Sequence, residues 1–355
     1  MNALVTRARG LGSRLVGEAV LAEIERARDQ AGLALALGRA GLGEDASVDA
    51  VEALARNRII EDLKILSRWA RDHRDAMTVI ELDEDRRSLR TLVRGLAAGV
   101  GSVRRRAACI PTSRLTARIL IALSEVTSLA DLAQILTMHE HPLAPALASH
   151  HATIDVLAIE AALTERFAAL AREHVDDRAL RVYLAQLIDG ENTESAILLA
   201  ARGKRIDATQ MFIGAAKGAK RPNSGAIGAT RANAPMRAND ARVRGGTRHA
   251  ASTRPADVSH LTLAEFERAA AGPLDETREI LATALRGTPL ERAVRTSSPA
   301  AVEDATLAWQ LASQRAMRRA SPHGLSSVLF LVLRRREEAR RLRRAAWRFA
   351  LGGAR

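Results

Sequence analysis

The sequence predicts an all-α protein, and three observations carry that expectation. Aromatic residues make up only 3% of the 355 residues, whereas strands draw on aromatic and β-branched side chains. Ala, Leu, Arg and Glu, all strong helix formers, dominate instead. Apolar residues recur three and four positions apart through most of the chain, the spacing of a helix with one buried stripe. The length suffices for two or three compact units, each with its own core.

Taken in order, residues 13–41 read as one amphipathic helix, with Leu15, Ala19, Ile24, Ala27 and Ala31 near helical spacing and Gly41 to Gly43 as its stop. A long helix is expected over 47–75, with Ile59, Leu63, Leu66 and Ala70 as its apolar stripe. Helix continues from Asp83 to Leu96, is broken by Gly95, Gly99 and Gly101, and stops at Pro111. Residues 113–138 read as two short helices split near Thr127-Ser128, with Ser128 as N-cap. His141-Pro142 and Ala144-Pro145 predict a turn, and long helices follow at about 153–172 and 177–202. From Gly214 to about Val258 the chain is Gly, Ala, Arg, Asn and Pro with no hydrophobic period, the composition of a loosely held or disordered loop. Helical pattern resumes at Leu261, with turns at Pro273, Pro289, Pro299 and Pro322-His323-Gly324, and a last helix from about Leu325 to Leu351.

The net charge of +13 is concentrated. Residues 215–258 hold nine Lys/Arg against Asp240 and Asp257, and residues 334–355 hold nine Arg against Glu337 and Glu338. The remainder is close to neutral, so two basic segments sit on a near-neutral body. A nucleic-acid surface needs charge spread over a folded face, and no aromatic residue lies between Gly214 and Val258 to stack on bases. The segment 215–258 is open to acidic headgroups, RNA or an acidic partner, or is a linker with incidental charge. The C-terminal Arg-rich helix, with Trp347 and Phe349, could lie on an anionic membrane surface. The longest strongly apolar run, Val328 to Leu333, has six residues, far short of the roughly 20 of a membrane span. The start carries basic residues without the apolar stretch of a signal peptide. Together these predict a soluble chain whose membrane contact is peripheral.

Chemistry-bearing motifs are weak. Gly214 to Arg221 has the wrong glycine spacing and no Ser/Thr after the Lys for a phosphate loop. Gly10-Leu11-Gly12 and Gly99-Val100-Gly101 lack the third glycine of a dinucleotide loop and read as turns. His139, His141, His150 and His151 lack zinc-site spacing and read as exposed loop histidines. Cys109, the sole cysteine, reads as a small buried residue. No catalytic residue, cofactor or metal is expected.

Two similarities recur along the chain. Leu115-Thr116, Leu129 to Leu132, Ile135-Leu136 and Pro142-Leu143 return as Leu261-Thr262, Leu274-Asp275, Ile280-Leu281 and Pro289-Leu290. Polar groups beside an apolar stripe recur at Glu61 to Arg68, at Asp189 to Arg202 and at Glu337 to Arg343. Repeats of this scale suggest three similar helical units about a common axis, although amphipathic helices also resemble one another by chance. Asp189 and Asn192, three apart, share a helix face. They could contact a partner or fix a helix crossing, with Arg181, Arg202 and Arg205 as counter-charges. Glu337 and Glu338 beside Arg341 and Arg343 read as a solvated, salt-bridged face.

In this order the pieces resemble the C-subunit family of V-type (A/V-type) ATPases, whose eukaryotic members are the d subunits. The opening Asn2-Ala3 … Arg7-Ala8-Arg9 with Ser13-Arg14-Leu15 is similar to the family's start. Ile110-Pro111 … Arg114-Leu115-Thr116 is similar to its entry to the next unit, and Leu187-Ile188-Asp189-Gly190-Glu191-Asn192 to its Asp-x-x-Asn helix. Leu331 to Arg343 is similar to its C-terminal acidic and basic helix. The sequence departs from the pattern at Asp62, where the family has Asn, at Ile59, where it has an acid, and at Arg341; the stretch 214–258 reads as an insertion.

The resemblance implies a pseudo-threefold funnel of three units, at 1–110, 111–258 and 259–355. It implies a non-catalytic, cytoplasmic adaptor between the central shaft and the membrane rotor ring of an ATP-driven proton or sodium machine, with no small-molecule substrate and no specific nucleic acid. Asp62, Arg68, Asp189, Asn192, Glu338 and Arg341 are then the candidate partner-binding residues. The alternative, resting on charge, is a basic helical nucleic-acid-binding protein.

Overall fold

A computed structural model describes residues 3–148, 155–174, 176–203, 208–214, 259–296 and 298–352. Every regular element among them is helical, as the composition predicts. The N-terminal third holds α1 (Ala3–Gly12), α2 (Glu18–Arg26), α3 (Gln30–Arg39), α4 (Val48–Arg68), α5 (Arg74–Ala97) and α6 (Ser102–Ala107). The middle holds α7 (Ala117–Glu125), α8 (Leu129–Met138), α9 (Ala144–Ala148), α10 (Val156–Glu173), α11 (Arg178–Arg202) and α12 (Ala208–Met211). After residue 258 come α13 (Leu263–Ala271), α14 (Leu274–Ala284), α15 (Pro289–Thr296), α16 (Pro299–Ala320) and α17 (Ser326–Gly352).

Capping chemistry sets most boundaries. Ser47, Thr116, Ser128, Asp155, Asp177 and Thr262 each accept from a backbone N–H in the first turn of the helix that follows, satisfying donors that have no intrahelical partner. Thr262 and Glu265 form a reciprocal capping box. The single helix expected over 13–41 is instead α2 and α3. Asp29 caps α3 by accepting from Gly32 N at 2.7 Å, a start signal inside an unbroken apolar period. The helix expected over 47–75 ends at Arg68, and a 3-10 turn (Arg71–His73) leads into α5.

Gly95 does not break α5. Its missing Cβ admits the Arg105 side chain, whose Cγ would lie 2.7 Å from such an atom. The helix ends at Ala97, and Gly99 just beyond it takes φ +66°, while Val100 N donates to Gly95 O at 2.8 Å in the pattern of a glycine C-cap. Gly10 and Gly12 belong to α1 rather than to a turn, and Ala144-Pro145 opens the short α9. The expected loop at 215–258 lies outside the described residues.

Among the described residues, six long helices form three consecutive pairs, α4–α5, α10–α11 and α16–α17, each joined by a short connection. Each pair touches the next through neighbouring members: α5 on α10, α11 on α16, and α17 back on α4. The contacts therefore close a circuit. The largest apolar core draws on residues from Leu4 to Ala339. A second core gathers Ile197, Phe266, Leu281, Leu290 and Val302, and a third joins Leu21, Leu33 and Val51 to Leu342 and Ala345 of α17. The last helix thus belongs to the core of the first residues, and these cores run across positions 110 and 258.

Where α11 crosses α16 the approach is close. A Cβ on Gly190 would lie 2.8 Å from Thr306 Cγ2 and nearer still to Oγ1. Gly190→Ala is expected to lower unfolding stability by about 1–3 kcal/mol through overpacking. Adding Thr306→Ala should recover part of that loss, a coupling that a double-mutant cycle in urea measures.

Candidate functional site

The second long helix of each pair carries buried polar groups, and these hold the connecting backbone packed against it. On α11, Asp189 is fully buried. Its carboxylate accepts from the backbone N–H of His260 and Leu261 and from Ser259 Oγ, at 2.6–3.2 Å. His260 Nδ1 lies 3.0 Å from Oδ2. One turn on, Asn192 Nδ2 donates to Ile213 O at 3.0 Å and Asn192 Oδ1 accepts from Ile213 N at 2.9 Å. Asp189 and Asn192 therefore grip the two sides of residues 215–258, where the chain departs and where it returns. The arginines expected beside Asp189 lie elsewhere: Arg181 donates to Asp176 O, Arg202 pairs with Asp155, and Arg205 is outside the described residues.

On α17, Glu338 is 2% exposed, so the solvated face expected there is a buried clamp. Its carboxylate accepts from Val16 N at 2.9 Å, from Arg58 Nε at 2.9 Å and from Arg335 Nη1 at 2.6 Å. Arg335 Nε also donates to Asp62 Oδ2 of α4 at 2.8 Å. Burial holds the Asp62 carboxyl above its ordinary range even though Arg335 opposes the shift. Arg341, at the edge of this helix, pairs with Glu25 and Glu18 at 2.7 and 2.5 Å. Arg68 is exposed at the end of α4.

On α5 the corresponding groups hold residues 110–115. Ser88 Oγ accepts from Ile110 N at 3.0 Å, Thr112 Oγ1 donates to Asp85 Oδ1 at 2.6 Å, and Ser113 donates to Glu81. His141 Nε2 lies 3.2 Å from the other Asp85 oxygen. His141 is therefore buried and engaged, not an exposed loop histidine. His139 is exposed, and His150 and His151 lie outside the described residues. Burial raises the Asp85 carboxyl and pushes the Cys109 thiol up to about 12.

The three helices that carry the clamps meet in an ionic core. Arg336 of α17, 8% exposed, donates from Nη2 to Asp83 Oδ2 at 2.7 Å, from Nε to Glu84 Oε1 at 2.7 Å and from Nη1 to Tyr183 Oη at 2.9 Å. Tyr183 of α11 donates in turn to Asp83 Oδ2 at 2.5 Å. Arg86 reaches Asp83 at 3.0 Å, Thr164 of α10 at 2.9 Å and Glu191 at 2.9 Å. Arg90 joins Glu191 to Glu160, and Arg94 also meets Glu160. Burial works against the ionised forms, yet the Arg336 and Arg86 guanidiniums hold Asp83 below the usual carboxylate range. Arg90 and Arg86 likewise hold Glu191 at about 2. Glu194, desolvated and beside Glu191, is pushed up to about 7.

The repeat read from the sequence puts its first polar copy on α4, at Glu61 to Arg68, and so misses α5, with Asp85 and Ser88 of its clamp and Asp83 and Arg86 of the ionic core. A signal for the clamp exists: an acid followed three residues on by a polar partner occurs at Asp85/Ser88, Asp189/Asn192 and Glu338/Arg341, each on the second helix of its pair. Among the described residues, no three of His, Cys, Asp and Glu are placed to hold a metal ion. No described helix is long and apolar enough to cross a membrane.

A closed circuit of helix pairs, tied by buried acids that grip connecting backbone, defines a helical scaffold. The family described as ATP synthase (C/AC39) subunit matches residues 4–214. The chain belongs to that family. It is similar to the V-type ATP synthase C subunit of Deinococcus radiodurans, 28% identical over 165 residues, which is 45% of this chain and 46% of that protein. It is also similar to the V-type ATP synthase C subunit of two Thermus thermophilus strains, 42% identical over 83 residues, 22% of this chain and 26% of theirs. The aligned part thus spans less than half the length of each relative. The family match ends at residue 214, so the third pair, α16–α17, lies beyond it. Neither comparison supports the nucleic-acid alternative.

Two measurements follow from the ionic core. Arg336→Met leaves Asp83 and Glu84 buried without their main counter-charge, and denaturant unfolding should show a loss of about 3–5 kcal/mol. Glu194 titrates in the opposite sense to Glu191. Its raised value means the folded state favours the protonated carboxyl, a stabilisation fully present below about pH 4.5 and lost as pH rises through about 7. Glu194→Gln should therefore raise the thermal midpoint at pH 8 and leave it unchanged at pH 4.

Proposed function

We propose that the chain is a non-catalytic adaptor of a V-type/A-type rotary ATPase, coupling the central rotor shaft to the membrane ring during ATP-linked proton or sodium transport. The observation that carries this reading is the closed circuit of three long-helix pairs joined through buried ion pairs, in a chain that belongs to the ATP synthase (C/AC39) subunit family. A part that passes torque must resist shear between its helices. Discrete ion pairs in a low-dielectric core supply that resistance, because a small slide separates charge from partner. Membership of this family, together with relatives named as the C subunit of V-type ATP synthases, favours a protein of the assembly over an enzyme acting alone.

In this reading the chain is cytoplasmic and peripheral to the membrane. Units at 1–110, 111–258 and 259–355 form a funnel around a pseudo-threefold axis, each contributing one pair of long helices. Arg68 and Arg341, at or near the surface, meet the partner directly. Asp62, Asp189, Asn192 and Glu338 support the contact from within by fixing the helices that present it.

The test is recovery of a tagged full-length chain from the membranes of its own organism, with mass spectrometry of what accompanies it. Shaft and ring components of a V-type ATPase are expected with the native chain and are expected to be lost with Asp189→Ala/Asn192→Ala, provided circular dichroism shows the helices intact. Recovery of nucleic acid or unrelated proteins in their place would overturn the reading.

A further inference from the structure

Away from the clamps, an open cleft of about 740 Å³ lies between the end of α16 and the first turns of α17. Arg315, Arg318 and Arg319 line one side, Phe330 and Arg334 the other, with Glu18 and Glu337 at the edge. The guanidinium carbons of Arg318 and Arg315 lie 4.1 and 5.7 Å from the centroid of the Phe330 ring. One aromatic ring thus draws two like charges together. Among the described residues, none of Arg315, Arg318 and Arg319 makes an ion pair or a hydrogen bond. This sets them apart from the arginines of α17, of which Arg334, Arg335, Arg336, Arg340 and Arg341 all pair with carboxylates.

The nearby acids are already engaged. Glu337 pairs with Arg334, and Glu18 pairs with Arg341 at 2.5 Å and Arg334 at 3.6 Å. Arg9 adds a further cation, held near the α16–α17 connection by its bond to Pro322 O at 2.8 Å. Partial burial and the charges of Arg315, Arg9 and Arg319 hold the Arg318 guanidinium below its ordinary range. The C-terminal end of α16 favours a cation through its backbone carbonyls. That accounts for one positive side chain, not for three with no carboxylate among them.

We propose that this cleft binds a phosphate group, carried by a soluble phosphate compound or by a phospholipid headgroup. A phosphate presents several oxygens that separate guanidinium forks can share, whereas one carboxylate is filled by a single bidentate fork. The cleft falls within the range of about 300–1,000 Å³ usual for small-ligand sites. Binding places anionic charge among Arg315, Arg318 and Arg319, whose mutual repulsion is offset in the free chain by the Phe330 ring but by no carboxylate among the described residues.

The test uses the full chain and pyrophosphate as probe, in calorimetric titration at constant ionic strength. The difference between the native chain and Arg315→Gln/Arg318→Gln isolates the cleft from the basic segment 215–258. The native chain should bind, and the double variant should bind at least about tenfold more weakly, as expected for losing two charge-assisted contacts. Arg315→Gln/Arg319→Gln, which spares the more enclosed Arg318, replaces it if the thermal midpoint of the first variant shows unfolding. Flotation with phosphatidylcholine vesicles, with and without phosphatidylglycerol, separates the two sources. Capture by the anionic vesicles alone, lost in the variant, identifies a headgroup; pyrophosphate binding without vesicle capture identifies a soluble phosphate. Absence of pyrophosphate and vesicle binding, binding equal in native chain and variants, or preference for poly-glutamate over pyrophosphate would overturn the proposal.

Discussion

Arg336 is the interaction on which the remaining architecture depends. It lies at 8% exposure between two carboxylates of α5 and a phenol of α11, and so ties the last helix of the chain to a helix of the first pair and one of the second. Charges taken out of water are stabilising only when every lone pair and proton is met. Here the requirement is satisfied in series: Arg336 meets Asp83 and Glu84, Asp83 meets Tyr183 and Arg86, and Arg86 meets Glu191 and Thr164. A hydrophobic seam of the same volume would hold the helices together, but it would tolerate sliding. A chain of paired charges fixes one register.

The clamps extend the same principle to connecting backbone. A polypeptide that leaves a helix and crosses to the next must satisfy its own N–H groups once water is excluded. Asp189 does this for His260 and Leu261, Glu338 for Val16, and Ser88 for Ile110. Each is a side chain on the second long helix of a pair. The recurrence makes the three connections physically alike even where the sequences entering them differ: Ile110-Pro111, Ser259-His260 and Leu15-Val16.

Much of this is legible in the sequence. Helix content, the cap at Ser128, the burial of Cys109 and the family resemblance all follow from local patterns. What is not legible depends on partners distant in sequence. The apolar period through 13–41 runs on across the Asp29 cap because both helices face the same core. Glu338, in a segment of nine arginines, reads as a surface charge until Arg58, Arg335 and Val16 are seen to enclose it. His141 beside Pro142 has the signature of an exposed turn, and only Asp85, on α5, explains its burial. The Asp83/Arg86 pair is masked by the equally polar run of α4, and its role rests on Arg336 and Tyr183, 253 and 100 residues away.

The grip of Asp189 and Asn192 bears on the chain held between them. Departure at Ile213 and return at Ser259 are fixed on one turn of a single helix, so α11 alone sets where the two ends of the intervening chain sit. For any flexible closed loop, each doubling of length costs only about 0.6 kcal/mol of closure entropy. With both ends anchored on α11, a flexible module spliced between them is expected to leave the helices in place, whatever its length.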